Sequence, residues 1–339
     1  MHYQTFSFHG IAIKLSGDSP GLIEEIERDF SYFKIPVNKA EITINTYGIP
    51  PPYDTLPAMQ ASYTSPRNTC YYHKGLKYID YSGKGLVVFD AKDSTCHIYS
   101  NDAELLHEIC YMCILSLVNE KLERCHIHRV HALGLAVDNK AVLILLDMGG
   151  GKSTLAIRLL SFLKSVKLIS EDSPLINSQG QILPFPIRIG LHQQDVPPQI
   201  PKDLQRYFKR SEFSSKILID IEYWKDQICF DICQPRIIIV GKRVIGKEPE
   251  IKQSSYYIAF REFIKNSVIG VGLYQGIEYI FQKGLIEVFK KIPAGISRLN
   301  NSLKVINNSE IFEFYLSADK EKNNEILVEF LKAIETKNE

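Results

Sequence analysis

Neither sign of charge is in surplus. The 339-residue chain carries 40 Lys and Arg against 39 Asp and Glu, a formal charge of +1. A nucleic-acid binder normally shows a basic excess to neutralise phosphates, so nucleic acid is not an expected partner. No stretch reaches the roughly 18 to 20 apolar residues of a spanning helix, so a membrane is not expected either. The start, Met1-His2-Tyr3-Gln4-Thr5, lacks the basic region and apolar run of a secretory signal. Cysteines are few and odd in number: seven, irregularly scattered (Cys70, Cys96, Cys110, Cys113, Cys125, Cys229, Cys233), in a chain long enough to need no cross-links. Reduced thiols and a cytoplasmic location are the expectation. Internal repeats and low-complexity segments are missing as well.

What is present is the balance of a soluble globular protein, 45% hydrophobic and 23% charged, at a length suited to two domains. The first hundred residues read as a small α+β module. Phe6, Phe8, Ile11, Ile13 and Leu15 give a broken period-two pattern, and Ser19-Pro20 then signals the start of a helix carrying Leu22, Ile26, Phe30 and Phe33. Strands follow around Ile42 to Thr46, Leu76 to Tyr81, Leu86 to Phe89 and Thr95 to Tyr99. A long helix is expected from about Asp102 to Arg124, with Asn101 and Glu104 spaced as a capping box. Its Cys110 and Cys113 sit among Ile109, Met112 and Ile114 and read as buried helix side chains. The boundary is placed at this helix, giving domains 1–120 and 121–339.

The chemistry is concentrated in Ala141 to Thr154. Six apolar residues, Ala141 to Leu146, make a buried strand; Asp147, Met148, Gly149, Gly150 and Gly151 follow, then Lys152-Ser153-Thr154 opens an amphipathic helix running to about Ser165. Strand, glycine loop and helix in this order suit a phosphate cradle. Glycines let consecutive backbone N–H groups face phosphate oxygens, and the helix N-terminus adds partial positive charge. In the G-x-x-x-x-G-K-[ST] pattern Lys152 reaches the β- and γ-phosphates of a nucleotide and Ser153 ligates Mg²⁺; Leu146 stands where that pattern begins with glycine. Val166 to Ser170 reads as a strand delivering Glu171-Asp172, paired carboxylates of the kind phosphoryl transfer uses. Upstream, Cys125-His126-Ile127-His128-Arg129-Val130-His131 places histidines at alternating positions, a weak zinc pattern without a matching ligand set elsewhere.

From His131 onward the chain resembles the bacterial HPr kinase/phosphorylase family and the HPr-kinase-like enzymes found with peptide natural-product clusters. The resemblance rests on the hairpin His131-Ala-Leu-Gly-Leu-Ala-Val137, Asp138-Asn139, Ala141 to Leu146; on the spacing of His131 from Lys152; and on the acidic pair Glu171-Asp172. It implies an α/β fold: a P-loop kinase domain like those of HPr kinase and PEP carboxykinase, preceded by the small α+β domain. It implies Asp172 as the base toward a serine hydroxyl, Glu171 as its acidic neighbour near the metal with Ser153, and His131 as the active-site histidine. In Ile187-Arg188-Ile189-Gly190 it nominates Arg188 as a phosphate or transition-state contact, and before Ile237 it nominates Arg236. Thr154 stands where the HPr enzymes carry an acidic residue, and their arginine-bearing C-terminal segment has no counterpart, so the likeness is nearest to lasso-peptide precursor kinases. The implied cofactors are ATP and Mg²⁺, the implied partner is a precursor peptide with an acceptor serine, and a homo-oligomer is a reasonable expectation. A small-molecule acceptor, an HPr-type protein acceptor and a non-catalytic nucleotide sensor remain open.

Three later segments complete the reading. Residues 192–216 are polar and proline-bearing, either a substrate-facing loop or a surface connection. Tyr256 to Phe281 is expected as a long helix interrupted by Gly270, Gly272 and Gly276. Asn323 to Thr336 is expected as an amphipathic helix with Ile326, Phe330 and Ile334 on one stripe.

Overall fold

A computed structural model of the chain describes residues 2–36, 39–147, 149–209, 214–268 and 285–336. These form a mixed α/β protein that divides into two compact units, the first break falling between Leu122 and Glu123. The first unit is built on an eight-stranded sheet: β1 (His2–Phe8), β2 (Ile11–Gly17), β3 (Ile42–Tyr47), β4 (Ala61–Thr64), β5 (Thr69–His73), β6 (Leu76–Asp80), β7 (Leu86–Asp90) and β8 (Thr95–Tyr99), in the order 1-2-3-8-7-6-5-4. The broken pattern from Phe6 to Leu15 is a hairpin, because His9 and Gly10 both take positive φ (50° and 93°) and turn the chain between β1 and β2. Strands β4 and β5, which carry no apolar alternation, escape a sequence reading.

Helix α1 (Pro20–Asp29) begins where Ser19-Pro20 predicts, with the Ser19 hydroxyl accepting from the Leu22 amide at 3.4 Å. It buries Leu22, Ile23 and Ile26, and the Phe30 that follows packs edge-on against Phe6 and Phe8. Helix α2 (Ala103–Arg124) starts one residue later than the capping-box reading places its cap. Asp102, not Asn101, is the cap: its carboxylate accepts from the Glu104 and Leu105 amides at 3.0 and 3.1 Å. Cys110 and Cys113 are buried on this helix, and all seven cysteines are free thiols.

The second unit begins with β9 (His128–Arg129) and holds a six-stranded sheet that positions the site. Its strands are β10 (Leu133–Val137), β11 (Lys140–Leu145), β12 (Lys167–Ser170), β18 (Gln234–Arg243), β19 (Glu250–Gln253) and β20 (Glu310–Leu316), in the order 12-10-11-18-20-19. A smaller sheet joins β9, β13 (Leu175–Ile176) and β14 (Ile182–Leu183), and β15 (Ile189–Leu191) stands after them. Asp138 and Asn139, both at positive φ (49° and 58°), make the tight turn of the β10–β11 hairpin, the conformation that Asp and Asn tolerate best after glycine. Strands β11, β18 and β20 run parallel. Both faces of β11 are buried, which is why Ala141 to Leu145 reads as an unbroken apolar run.

Helix α3 (Lys152–Phe162) packs beside β10 and β12. It ends three residues before Ser165, where Gln227 Nε2 donates to the carbonyls of Leu163 (2.9 Å) and Val166 (3.2 Å) and turns the chain into β12. On the opposite side α4 (Tyr256–Phe263) packs on β18 and continues into one wide π-type turn, Ile264–Val268. The expected glycine interruptions at 270, 272 and 276 lie outside the described residues. Helix α5 (Leu285–Asn307) contributes Val305 and Ile306 to the core with Leu143, Ile238 and Ile311. The last helix, α6 (Lys320–Thr336), buries Leu327, Leu331 and Ile334; Ile326 and Phe330, expected on that stripe, flank it half-buried.

The segment 192–216 is more structured than a loop. Within it β16 (Gln205–Phe208) pairs with β17 (Lys216–Ile219), and this hairpin belongs to the first unit. Arg206 is its anchor: buried, it binds Asp29 at 2.7 Å, Asp220 at 2.9 Å and Glu25 at 2.5 Å. Three carboxylates around a guanidinium offset the cost of burying it. Among the described residues no helix is long and apolar enough to cross a membrane.

Candidate functional site

Strand register alone gathers the site. Leu133 pairs with Ile144 across the hairpin, so continuing the ladder brings His131 opposite Leu146, at the loop entry. On the other side of β10, Gly134 pairs with Ser170, so the chain leaves β12 at Glu171-Asp172 beside the same loop. Gly134 permits this approach, since a Cβ there would sit 3.1 Å from Pro174 and 3.3 Å from Ile169. Backbone bonds secure the junction: the Ala132 amide donates to the Asp172 carbonyl at 3.2 Å, and the His131 amide to the Asn266 carbonyl at 3.0 Å.

The loop between β11 and α3 is shaped by its glycines. Gly149 and Gly151 hold φ of 72° and 91°, a region that strains other residues. A Cβ on Gly150 would lie 2.7 Å from the Asp147 carbonyl, whose oxygen accepts the Gly150 amide at 2.8 Å. Gly151, the N-cap of α3, makes no side-chain capping bond, and this end of the helix carries partial positive charge. Leu146, in the place of the expected first glycine, is buried against Gly241 of β18, where a Cβ would come within 2.0 Å of its Cδ2. The large residue at the loop entry is thus matched by a missing side chain on the neighbouring strand. Met148 lies outside the described residues.

Lys152, the first residue of α3, turns its ammonium back into the loop and is buried. Its Nζ donates to His131 Nε2 at 2.8 Å and to the Leu146 carbonyl at 3.1 Å, and lies 3.8 Å from Asp172 Oδ1. Burial lowers its pKa below the usual lysine value; the Asp172, Glu171 and Asp147 carboxylates oppose that shift without cancelling it. Because Nε2 of His131 accepts from Lys152, the ring proton belongs on Nδ1, which sits 3.2 Å from Asp172 Oδ1, off the hydrogen-bond axis. Asp172 is 39% exposed on its side chain, so an incoming group can reach the carboxylate that Lys152 and His131 hold from behind. Ser153 donates to Glu171 Oε1, and Thr154 follows half-buried on the same turn.

The cluster of Lys152, His131, Asp172, Ser153 and Glu171 therefore exists as one contact network. Arg188 is buried just before β15, which packs on α3. Arg236 stands at the far end of the sheet. It lies near the start of β18, donates to the Ile334 carbonyl at 3.1 Å and faces Asp138 of the hairpin turn at 3.6 Å, so it braces the fold away from the loop.

Two cations beside the loop have no motif to announce them. Arg243, at the C-terminal end of β18, donates to the Gly150 carbonyl at 3.1 Å. Lys265, on the π-type turn after α4, forms an ion pair with Asp147. The signal for Arg243 is positional: in parallel strands that end together, the last residues of β18 emerge beside the loop that follows β11. Lys265 depends on a long-range packing contact and is invisible locally.

The donor set fits a nucleoside triphosphate and a hard divalent cation. Backbone amides and Lys152 suit phosphate oxygens, while the Ser153 hydroxyl and Glu171 carboxylate offer oxygen ligands to Mg²⁺. No family model matches the chain, and no curated protein matches its sequence.

Proposed function

We propose that the chain is an ATP-dependent kinase with a P-loop-type second unit, which phosphorylates a serine hydroxyl of a ribosomally made precursor peptide. The observation that supports this reading best is the meeting of Lys152, His131 and Asp172 at an uncapped helix N-terminus shaped by three glycines. Bound ATP, with Mg²⁺, supplies the γ-phosphoryl group; the protein's own residues position and neutralise.

Lys152 places a buried positive charge at the glycine loop, and Ser153 with Glu171 would hold the metal. Asp172, reachable from solvent, accepts the proton of the attacking hydroxyl. His131 Nδ1 faces the carboxylate at 3.2 Å, and the Lys152 ammonium pairs with it at 3.8 Å. Arg188, from the family resemblance, and Arg243, from its contact with Gly150, are further candidates for phosphate charge. Positioning and electrostatics supply most of the rate in such a transfer.

The test presents a peptide ending in serine, together with free alcohols and a folded protein acceptor, to the enzyme with ATP and Mg²⁺, and reads phosphate gain by mass spectrometry. Phosphoserine on the peptide is expected. Nucleotide binding without phosphate gain on any acceptor would favour a nucleotide sensor.

A further inference from the structure

The histidine run contains more than His131. The structure breaks the alternation there: His126 is not in a strand but turns through φ 57°, held by its backbone amide donating to the Glu123 backbone carbonyl (3.0 Å) and by Asn301 Nδ2 donating to its own carbonyl (2.9 Å). The turn swings its ring toward the one that follows in β9. His126 Nδ1 and His128 Nε2 converge on a single hydroxyl, Ser297 Oγ of α5, at 2.9 and 2.8 Å. His128 is fully buried, and its Nδ1 has no hydrogen-bond partner among the described residues but faces Glu123 Oε1 at 3.8 Å. Arg298 clamps Glu123 from the other side, donating to Oε1 through both Nε and Nη2. Burial pushes the Glu123 carboxyl up, but His128 and Arg298 outweigh it and hold it below the usual glutamate range. Ser297 itself is half-buried, and Ile292 and Ile296 lie exposed on the same helix.

An ionised carboxylate, an imidazole and a hydroxyl in sequence are the parts of an activated nucleophile, recognised by geometry and role wherever the chain places them. We propose that Ser297 is the nucleophile of a second site, separate from the glycine loop, with His128 as its base and Glu123 as the group that orients His128, acting on small carboxylic esters. With its ring proton on Nδ1 toward Glu123, His128 presents Nε2 as acceptor. Ser297 Oγ adds to the ester carbonyl as its proton passes to Nε2. The alcohol leaves with that proton, giving acyl-Ser297, and water then releases the carboxylic acid and restores the hydroxyl. His126 donates from Nδ1 to Oγ in the resting state and positions it. The separation between His128 and Glu123 closes on substrate binding, as catalytic hydrogen bonds commonly do.

A fluorophosphonate probe reads this directly, since attack by Oγ forms an O–P bond and expels fluoride with the serine proton. The full-length protein is treated with the probe, digested and mapped by mass spectrometry, with 4-nitrophenyl acetate turnover measured alongside. The adduct is expected on Ser297, absent from Ser297→Ala and from heat-denatured protein, and formed about 100-fold or more slowly in His128→Gln. Because the adduct is mapped in the unaltered chain, the result stands even if the buried His128 variant folds poorly. An unlabelled Ser297 in folded protein, beside a fully labelled control serine esterase, would overturn the proposal, as would labelling at the same rate in a folded His128→Gln.

Discussion

At the scale of residues, the glycine loop is a set of steric permissions around one buried charge. Gly150→Ala puts a Cβ against the Asp147 carbonyl, a conflict of about 1–3 kcal/mol that lowers stability by up to that amount or displaces the loop, so nucleotide affinity should fall about tenfold or more. Equilibrium binding of a fluorescent ATP analogue checks this, and unchanged affinity would separate the loop from the phosphates. Lys152 carries a pH signature. Its lowered pKa means the ammonium deprotonates before an ordinary lysine does, so affinity should decline as pH rises, beginning below the usual lysine value of 10.5. An affinity flat through that range would show that the charge of Lys152 does not hold the ligand. The lysine, serine and acidic pair were legible from the order strand, glycine loop, helix, strand, and His131 through the family resemblance, because each lies on or next to a strand or helix of the same local unit. Arg243 and Lys265 were not, because their place beside the loop is made by pairing and packing between segments about a hundred residues apart.

At the scale of elements, the site is a by-product of two registers on β10, one to β11 and one to β12. The hairpin was readable because Asp138-Asn139 is turn chemistry between two apolar runs. The position of Glu171-Asp172 next to the loop was readable only as a strand end, since nothing in the residues says that β12 pairs with β10. Gln227 holds this geometry from behind by capping the end of α3 and the start of β12. Gln227→Ala leaves two buried carbonyls without that donor and should cost about 1–3 kcal/mol in urea unfolding. In the first unit, Arg206→Ala leaves the fully buried Asp29 with His107 and Asp220 with Arg28, and should destabilise by about 1–3 kcal/mol. A loss within about 0.5 kcal/mol, the range of ordinary surface substitutions, would show that the hairpin is not anchored there. Composition hid this anchor: 192–216 is polar and proline-bearing, and the pairing of β16 with β17 depends on apolar positions too few to show a period.

At the scale of the whole molecule, near-neutrality means that any field at the loop is local, set by Lys152, Arg243 and Lys265 against Asp147, Glu171 and Asp172. Such a site suits one nucleotide and one hydroxyl better than a polyanion. Two units of different construction share the chain, and the glycine loop belongs to the second. The central claim is that Asp172 acts on the acceptor and Lys152 on the phosphates. The most direct test measures transfer of labelled γ-phosphate to a serine-ending peptide by wild type, Lys152→Ala and Asp172→Asn, each beside its nucleotide affinity. The expected result is loss of transfer in both variants, by about 100-fold or more for Asp172→Asn, with nucleotide binding weakened only in Lys152→Ala. Full transfer by Asp172→Asn, or no transfer by the wild type despite tight ATP binding, would contradict it.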